Sequence, residues 1–438
     1  MFNRRMWRDA LSHGSAKTRA GESGMQNQGV SRRWTVLLPV IFVAYSLAYL
    51  DRANFSFGAA AGMAKDLGIS GEQSSLLGSL FFLGYFLFQI PGAVYAQRYS
   101  VRKLIFAGLI GWGVLASAMG LISDIHLLYV ARFLLGVVES AVLPALLILQ
   151  ARWYTRKERA RANALLVIGN PATMLWMSVL SGYLAAGLGW RMMFIIEGLP
   201  PIIWAFVWWR LVADRPGEAR WLDAGETAAL EEALAREQSA IAPMKNYAAA
   251  FRSPRVIWLC AQYFLWSLGL YGFVIWLPSM LKMGQIGMVE VGWLSAVPYL
   301  VAIVAEFSVS ALSDRIGKRR VAAWPPLLIA ALAFYASYLL GPSHFWAGFL
   351  LLVVAAAGMY APYGPFFAYI AESLPSNVAG GAIALINSMG ALGSFAGAYA
   401  VGLLNDITGT TAMSFLVMAA ALGGSAAITF FLPEKSSA

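Results

Sequence analysis

A membrane-spanning helix needs about 20 mostly apolar residues, and runs of that length recur along this chain from end to end. They cover, approximately, residues 34–61, 73–96, 104–123, 127–150, 162–186, 191–212, 255–281, 290–313, 321–341, 344–371, 379–404 and 411–432. In lipid every backbone polar group must be satisfied internally, which leaves helices as the natural reading of such runs. The sequence therefore predicts an all-α membrane protein with twelve transmembrane helices. Charged residues make up 12% of the chain, about half the share in soluble domains. The net charge of +10 would suggest nucleic acid in a soluble protein, but topology accounts for it here. With the N-terminus placed in the cytoplasm, all the Lys and Arg residues but Arg52, Lys65, Arg132, Arg191 and Lys282 fall in cytoplasmic segments. That bias follows the positive-inside rule. It puts both termini in the cytoplasm and requires an even number of spans.

A hydrophilic stretch at 213–254 divides the spans into two sets of six. The expected organisation is a basic tail at 1–33, a six-helix bundle at 34–212, the cytoplasmic linker at 213–254, a second six-helix bundle at 255–432 and a short tail at 433–438. Met25 is a candidate start, with the preceding residues an extension. The first apolar run is too long for a signal peptide's apolar core. Within the linker, Asp223-Ala-Gly-Glu226 resembles a capping box and opens a short amphipathic helix over 227–239. The two sets of spans echo each other. Asp314-Arg315-Ile-Gly317-Lys-Arg319-Arg320 follows the eighth run, and Gln97-Arg98-Tyr-Ser100-Val-Arg102-Lys103 follows the second. Two six-span halves with matching loops point to a parallel-repeat transporter.

The charges inside the runs carry the functional reading. Asp51 and Arg52 lie in the middle third of the first run, and Arg132 and Glu139 lie in the fourth. A charge at bilayer depth costs roughly 2.5–3.5 kcal/mol on insertion scales, and such residues mark substrate or ion paths. Neighbours in sequence do not face each other on a helix, so Asp51 and Arg52 are expected to find partners on other helices. Arg132 and Glu139 are two turns apart and share a face. A cation and a carboxylate on one buried face suit an anion site beside a proton site. Tyr45, Tyr85, Gln262, Tyr360 and Tyr363 are further cavity candidates, with lipid-facing or packing roles as the alternative for the aromatics. Pro362 and Pro365 interrupt the tenth run. Glu197 is placed near the outer rim, with structural roles for it, Glu306 and Glu372. Gly390, Gly393 and Gly397, and Gly136 with Ser140, form close-packing faces.

The chain resembles the major facilitator superfamily from about residue 30 to 433. The resemblance rests on the Asp314–Arg320 turn, whose first-half copy has Gln97 and Ser100 in place of Asp and Gly and so lacks its acid. Tyr49-Leu-Asp51-Arg52-Ala-Asn54 and Arg132-Phe-Leu-Leu-Gly136-Val-Val-Glu139 are similar to the anion:cation symporters of that superfamily. Ser46–Asn54, Met192–Pro200, Met359–Phe367 and Asn377–Gly393 are similar to bacterial 2-ketogluconate permeases. The resemblance implies that Asp51 and Glu139 are the protonation pair and that Arg52 and Arg132 attract or hold the substrate carboxylate or govern the pKa of the two carboxyls. It also implies that Asn387 holds substrate hydroxyls, with Asn170 at the corresponding place in the other half. It implies, too, that Asp314, Arg315, Gly317 and Arg319 form a motif that steadies one conformation.

The expected protein is a secondary active transporter in a bacterial inner membrane. It would take up a sugar-acid anion, such as 2-ketogluconate, with protons by alternating access. A sodium-coupled carrier, an anion exchanger for another organic carboxylate and a non-transporting sugar-acid sensor remain alternatives. No enzyme activity, metal or cofactor is expected, the coupling ion being H+. Cys260 is the only cysteine, and His13, His126 and His344 lie in the tail or at outer ends. No phosphate-binding loop is present. The expected partners are a small organic anion and the lipid bilayer, with no nucleic acid, and the protein is expected to be a monomer.

Overall fold

The computed structural model describes residues 31–239, 253–341, 343–373 and 376–433. The expected basic tail through residue 30, with Met25, the linker over 240–252 and the tail beyond 433 lie outside the described residues. The chain enters through a π-helical turn at Arg33–Leu37 that continues into α1 (Leu38–Ala60). There follow α2 (Met63–Leu67), α3 (Gly71–Arg98), α4 (Val101–Met119), α5 (Ile125–Glu139), α6 (Val142–Trp153), α7 (Arg156–Val167) and α8 (Gly169–Leu211). After α9 (Ala224–Ser239) come α10 (Pro254–Lys282), α11 (Met288–Ile316), α12 (Arg319–Leu340), α13 (Phe345–Tyr360), α14 (Tyr363–Ser373), α15 (Ser376–Thr408) and α16 (Ala412–Phe431).

Among the described residues, 11 helical stretches are long and apolar enough to cross a membrane. The longest, Arg161–Leu211, has 51 residues, far more than the ~20 that span a hydrocarbon core. It turns at Gly189, whose φ of 78° suits glycine, and so holds two crossings. Twelve crossings result. The gap expected between the fifth and sixth runs is thus a single glycine reversal with no loop. The fourth crossing is α5 and α6 in series, broken at Ser140 and Ala141. The tenth is α13 and α14, broken at Ala361 and Pro362.

The crossings form two bundles with the same internal pattern. In the first, α1 packs on α8, α4 on α8 and α3 on α5; in the second, α10 packs on α15, α12 on α16 and α11 on α13. The halves meet where α3 packs on α15, α8 on α11 and α1 on α10. Small residues set these distances. A Cβ on Gly136 would overlap the Phe81 carbonyl oxygen, and one on Gly84 the Phe133 carbonyl oxygen. Gly393 and Gly397 stand in the same relation to the carbonyls of Phe264 and Leu268. Overpacking costs typically 1–3 kcal/mol, and here the obstacle is backbone. Gly136→Val is therefore expected to lower folded yield and melting temperature in detergent. Gly187→Ala, whose Cβ would meet nothing within 4 Å, should match the parent.

The basic loops lie at one face. Capping boxes start α3, from Ser70 and Gln73, and α7, from Thr155 and Glu158. The capping box expected at Asp223–Glu226 does not form. Asp223 accepts from the Gly225 amide at 2.9 Å, whereas Glu226 bonds Ser31 and, at 3.1 Å, Arg33. The cause is a stronger partner, because Arg33 also pairs with Glu158 at 3.1 Å and donates to the Trp153 carbonyl at 3.0 Å. Trp221 stacks on Trp153 with ring centroids 5.4 Å apart. The linker helix is thereby fixed to the first bundle. Burial acts to raise the Glu158 carboxyl, but Arg33 and the Thr155 amide outweigh it and hold Glu158 below the usual range.

The two repeated turns are each closed by a carboxylate, though from different places. Gly317, with φ 64°, ends α11; Arg319 then pairs with Asp314 and, at 3.0 Å, with Glu372 on α14. In the first half the acid missing at Gln97 is replaced from farther along the chain. Asp214, just past α8, accepts from the amides of Val101 at 2.7 Å and Arg102 at 3.2 Å. It also accepts from the Ser100 hydroxyl and lies 3.5 Å from Arg152.

Candidate functional site: a buried charge cluster beside a central cavity

Asp51, Arg132 and Glu139 are each 0% exposed and Arg52 is 7% exposed. Asp51 and Arg52 come from α1 and Arg132 and Glu139 from α5, and polar contacts join the two helices. Asp51 and Arg52 point to different partners, as their adjacency on α1 requires. The Asn54 amide donates to Asp51 Oδ1 at 3.2 Å. Arg132 Nη1 donates to the Asp51 backbone carbonyl at 3.2 Å. Arg52 Nη2 lies 3.8 Å from Glu139 Oε2, and its Nη1 donates to the Tyr271 hydroxyl at 3.1 Å. Tyr271 is on α10, so Arg52 links the two halves.

Aromatic faces complete the surroundings of both guanidiniums. Arg52 lies 4.5 Å from the Tyr49 ring centroid and 5.2 Å from that of Tyr85. Arg132 lies 4.6 Å from Phe55 and 5.5 Å from Phe81. Such contacts are worth about 2 kcal/mol or more when desolvated. Hydrogen bonding nevertheless remains incomplete. Asp51 Oδ2, both Glu139 oxygens, Arg52 Nε, and Arg132 Nε and Nη2 are buried without hydrogen-bond partners. Asp51 and Glu139 also interact electrostatically with each other. Two carboxyls near two guanidiniums, with unmet hydrogen-bonding capacity on both, can exchange a proton and hold an anion.

Arg52 lies in the wall of a central cavity between the halves. From the first half, Tyr45, Tyr49, Tyr85 and Asn170 line it; from the second, Tyr263, Ser267, Tyr271, Tyr363 and Asn387. Of the residues proposed from sequence, Arg52, Tyr45, Tyr85, Asn170, Tyr363 and Asn387 meet here. Asp51, Arg132 and Glu139 form the layer behind Arg52. Gln262 lies elsewhere, because it precedes Tyr263 and points away from the cavity. Its amide donates to Ser425 on α16 at 3.0 Å. Tyr360 is buried against Tyr299, with ring centroids 6.1 Å apart. Asp314, Arg315, Gly317 and Arg319 lie at the basic face. Glu197 is not at the outer rim: it is 1% exposed and bonded to Ser181.

Sequence reasoning missed Tyr49, Tyr263, Ser267 and Tyr271. Their signal was spacing. Tyr263, Ser267 and Tyr271 recur every four residues on one face of α10, as Tyr45 and Tyr49 do on α1. Asn170 and Asn387 are separated by the same interval as Gln97 and Asp314, and they face the cavity as a pair. At that interval Asp51, Arg52, Arg132 and Glu139 correspond to Leu268, Gly269, Phe349 and Ala356. The ionic cluster thus belongs to one half alone.

Hydrogen bonds between the halves are concentrated away from the basic loops. Ser56 donates to the Val274 carbonyl at 3.3 Å, and Tyr399 donates to Glu72 at 3.4 Å. The one nearest the basic face is Ser388 to Gln89, at 3.0 Å. No group of three or more His, Cys, Asp or Glu among the described residues could hold a metal ion.

Two six-helix bundles around a midplane cavity walled by buried charge define a secondary transporter working by alternating access. The sequence signature described as Major Facilitator Superfamily matches residues 41–396 and 284–438. A "Putative tartrate transporter" of Agrobacterium vitis is 32% identical over 91% of this chain and 90% of its own length. A quinolone resistance transporter of Acinetobacter baumannii is 31% identical over 86% of this chain and 88% of its own. The xylose transporter of E. coli, in an inward open conformation, superposes with a TM-score of 0.73 at 14% identity, covering 92% and 97% of the two chains. The chain belongs to the major facilitator superfamily. It is a multi-pass membrane transport protein of bacterial type, not an enzyme.

Proposed function

We propose that this protein is a proton-coupled symporter that takes up a sugar-acid anion of the hexonate type, with 2-ketogluconate as the leading substrate. The observation that carries the reading is the cluster of Asp51, Arg52, Arg132 and Glu139 behind a cavity that also presents two asparagine amides. An aldonate offers one carboxylate and a row of hydroxyls. Arg52 supplies a guanidinium for the first, in the planar fork that carboxylates match. Asn170, Asn387 and the tyrosine hydroxyls supply donors and acceptors for the second. Asp51 and Glu139 carry the coupling proton, and Arg132 sets the charge beside them. The motif similarity to anion:cation symporters and the relatedness to a protein named for tartrate, an organic acid, support the substrate class.

In this reading the basic face is cytoplasmic, the membrane is the inner membrane, and both termini are inside. The test is uptake of labelled sugar acids into proteoliposomes under an inward proton gradient, without sodium and without internal anion. Aldonates should accumulate and neutral glucose should not. Equal uptake of glucose would remove the anion reading, and a strict need for sodium or for internal anion would replace the coupling.

A second reading has one observation behind it. The cavity is rich in aromatic rings, and one relative is named for quinolone resistance. A proton-driven exporter of flat aromatic acids would exchange them for entering protons, so it would load vesicles only with the proton gradient reversed. Quinolone movement driven by an outward-directed exchange, with no aldonate uptake, would select it.

A further inference from the structure

The proposed coupling uses Asp51 and Glu139 and leaves a third buried carboxyl in the same bundle unused. Glu197 lies in the second arm of α8 and is 1% exposed. Its Oε1 accepts from the Ser181 hydroxyl at 2.7 Å, and its Oε2 is buried without a partner. This arm packs on α1. A Cβ on Gly58 would lie 2.7 Å from the Phe194 ring, so Phe194 sits beside Gly58. The two helices run in opposite directions there. Glu197, three residues beyond Phe194, is therefore level with Asn54 and Phe55. Asn54 is the residue that bonds Asp51, and its own Oδ1 is 0% exposed and unpartnered.

Glu197 and Asp51 interact electrostatically. Among the described residues, the polar and charged groups that other elements bring near Glu197 are engaged elsewhere. Ser117 of α4 donates to the Ile195 carbonyl at 3.1 Å. Asp66 of α2 is held by the Trp190 ring nitrogen at 2.9 Å. Arg191 is directed at the Ile122 carbonyl and the Ser123 hydroxyl, each at 3.2 Å. Two buried carboxyls that interact do not both ionise readily. Three buried acceptor atoms without donors (Glu197 Oε2, Asn54 Oδ1 and Asp51 Oδ2) are costly unless a proton or a water supplies one.

We propose that Glu197 is a proton-binding site that loads Asp51 from the outer side. The O–H bond of the Glu197 carboxyl breaks as an O–H bond forms on Asp51, with water held by Asn54 spanning the gap. Glu197 is left as a carboxylate that takes its next proton from the outer solution. This inference rests on the proton-coupled reading of the site and adds an entry route to it.

The test compares Glu197→Gln, Ser181→Ala and Asp51→Asn with the parent in proteoliposomes. Uptake driven by a proton gradient is measured against external pH, and counterflow exchange is measured in parallel. Glu197→Gln should keep counterflow but lose gradient-driven uptake at neutral external pH, on the order of tenfold or more, as for removal of a positioned proton donor. Acidic external medium should restore uptake, because Asp51 can then be loaded without its relay. Ser181→Ala should move the midpoint of the profile the other way, toward alkaline pH. It deprives the Glu197 carboxylate of its donor and so favours the protonated form. A purely structural Glu197 would give no such opposed pair of shifts. Parent-like profiles in both variants overturn the relay while the coupling role of Asp51 stands, provided Asp51→Asn is uncoupled. Should Glu197→Gln not fold, the Ser181→Ala shift decides, and its absence overturns the relay. If Asp51→Asn still accumulates substrate, the symport reading fails first and the relay with it.

Discussion

Asp51→Asn and Glu139→Gln are each expected to abolish accumulation of substrate against its gradient. Both carboxyls are 0% exposed, and each has at least one oxygen without a hydrogen-bond partner. Burial disfavours the charged form of a carboxyl and a neighbouring guanidinium favours it. A pair held between these influences, beside Arg52 and Arg132, changes protonation with small movements of its neighbours. Protonating the pair would free the arginines for an anion, and deprotonation on the other side would release it. The amide variants preserve shape and remove the proton. At least one of them should retain substrate binding or counterflow, since exchange needs no net proton movement. Binding, exchange and gradient-driven uptake should be measured on the same purified variants. Continued uphill uptake by both would mean that the proton travels elsewhere, and Glu306, buried in α11, would be the next residue to replace.

Arg132→Gln is expected to weaken anion binding by on the order of 2–5 kcal/mol, the usual cost of breaking a buried charge-assisted pair. That corresponds to roughly 30- to several-thousand-fold in Kd. Arg132 does not line the cavity. It is fully buried behind Arg52, bonded to the Asp51 carbonyl and set over Phe55. The loss would therefore come through the charge balance of the cluster, which two carboxyls and a single guanidinium would leave negative. Arg132→Lys should rescue poorly, because a point charge reproduces neither the planar fork nor the stacking on Phe55. Unchanged affinity in the Gln variant, measured by calorimetry, would assign Arg132 to packing alone.

The crossings were legible in the sequence because hydrocarbon thickness imposes one length on every span. The basic loops showed the repeat through the Asp314 turn and its first-half copy. The joins were less legible. Nothing in the apolar pattern announces that Gly189 alone reverses the chain, or that Asp214 replaces the acid absent at Gln97. That substitution depends on a contact between residues more than a hundred positions apart. The ionic cluster could be read because charge inside an apolar run is rare and costly. Cavity tyrosines could not be separated from lipid-facing ones by type, and Gln262 shows the error. One residue's rotation about α10 sends its amide to Ser425 instead of the cavity. Glu197 was misplaced for a related reason. Distance from the end of an apolar run gives depth along the membrane normal but not whether neighbouring helices cover the side chain.

The contact between α8 and α11 has a mechanical consequence. A Cβ on Gly182 would lie 2.8 Å from the Met288 carbonyl oxygen and 2.9 Å from the Gly292 Cα, and one on Gly292 2.7 Å from the Ser178 carbonyl. The halves touch at these glycines backbone to backbone, and beside them Trp293 Nε1 donates to the Tyr183 hydroxyl at 3.4 Å across the seam. Such a surface resists rolling far less than interdigitated ridges and grooves do. It lies near the end of α11 remote from the basic loops and makes a fulcrum with a long arm. From Gly292 to Ile316 the helix extends about 36 Å at its usual rise per residue. Tilting that arm by about 10° carries its far end about 6 Å, a displacement on the scale of a small sugar acid, while the backbone seam itself hardly moves.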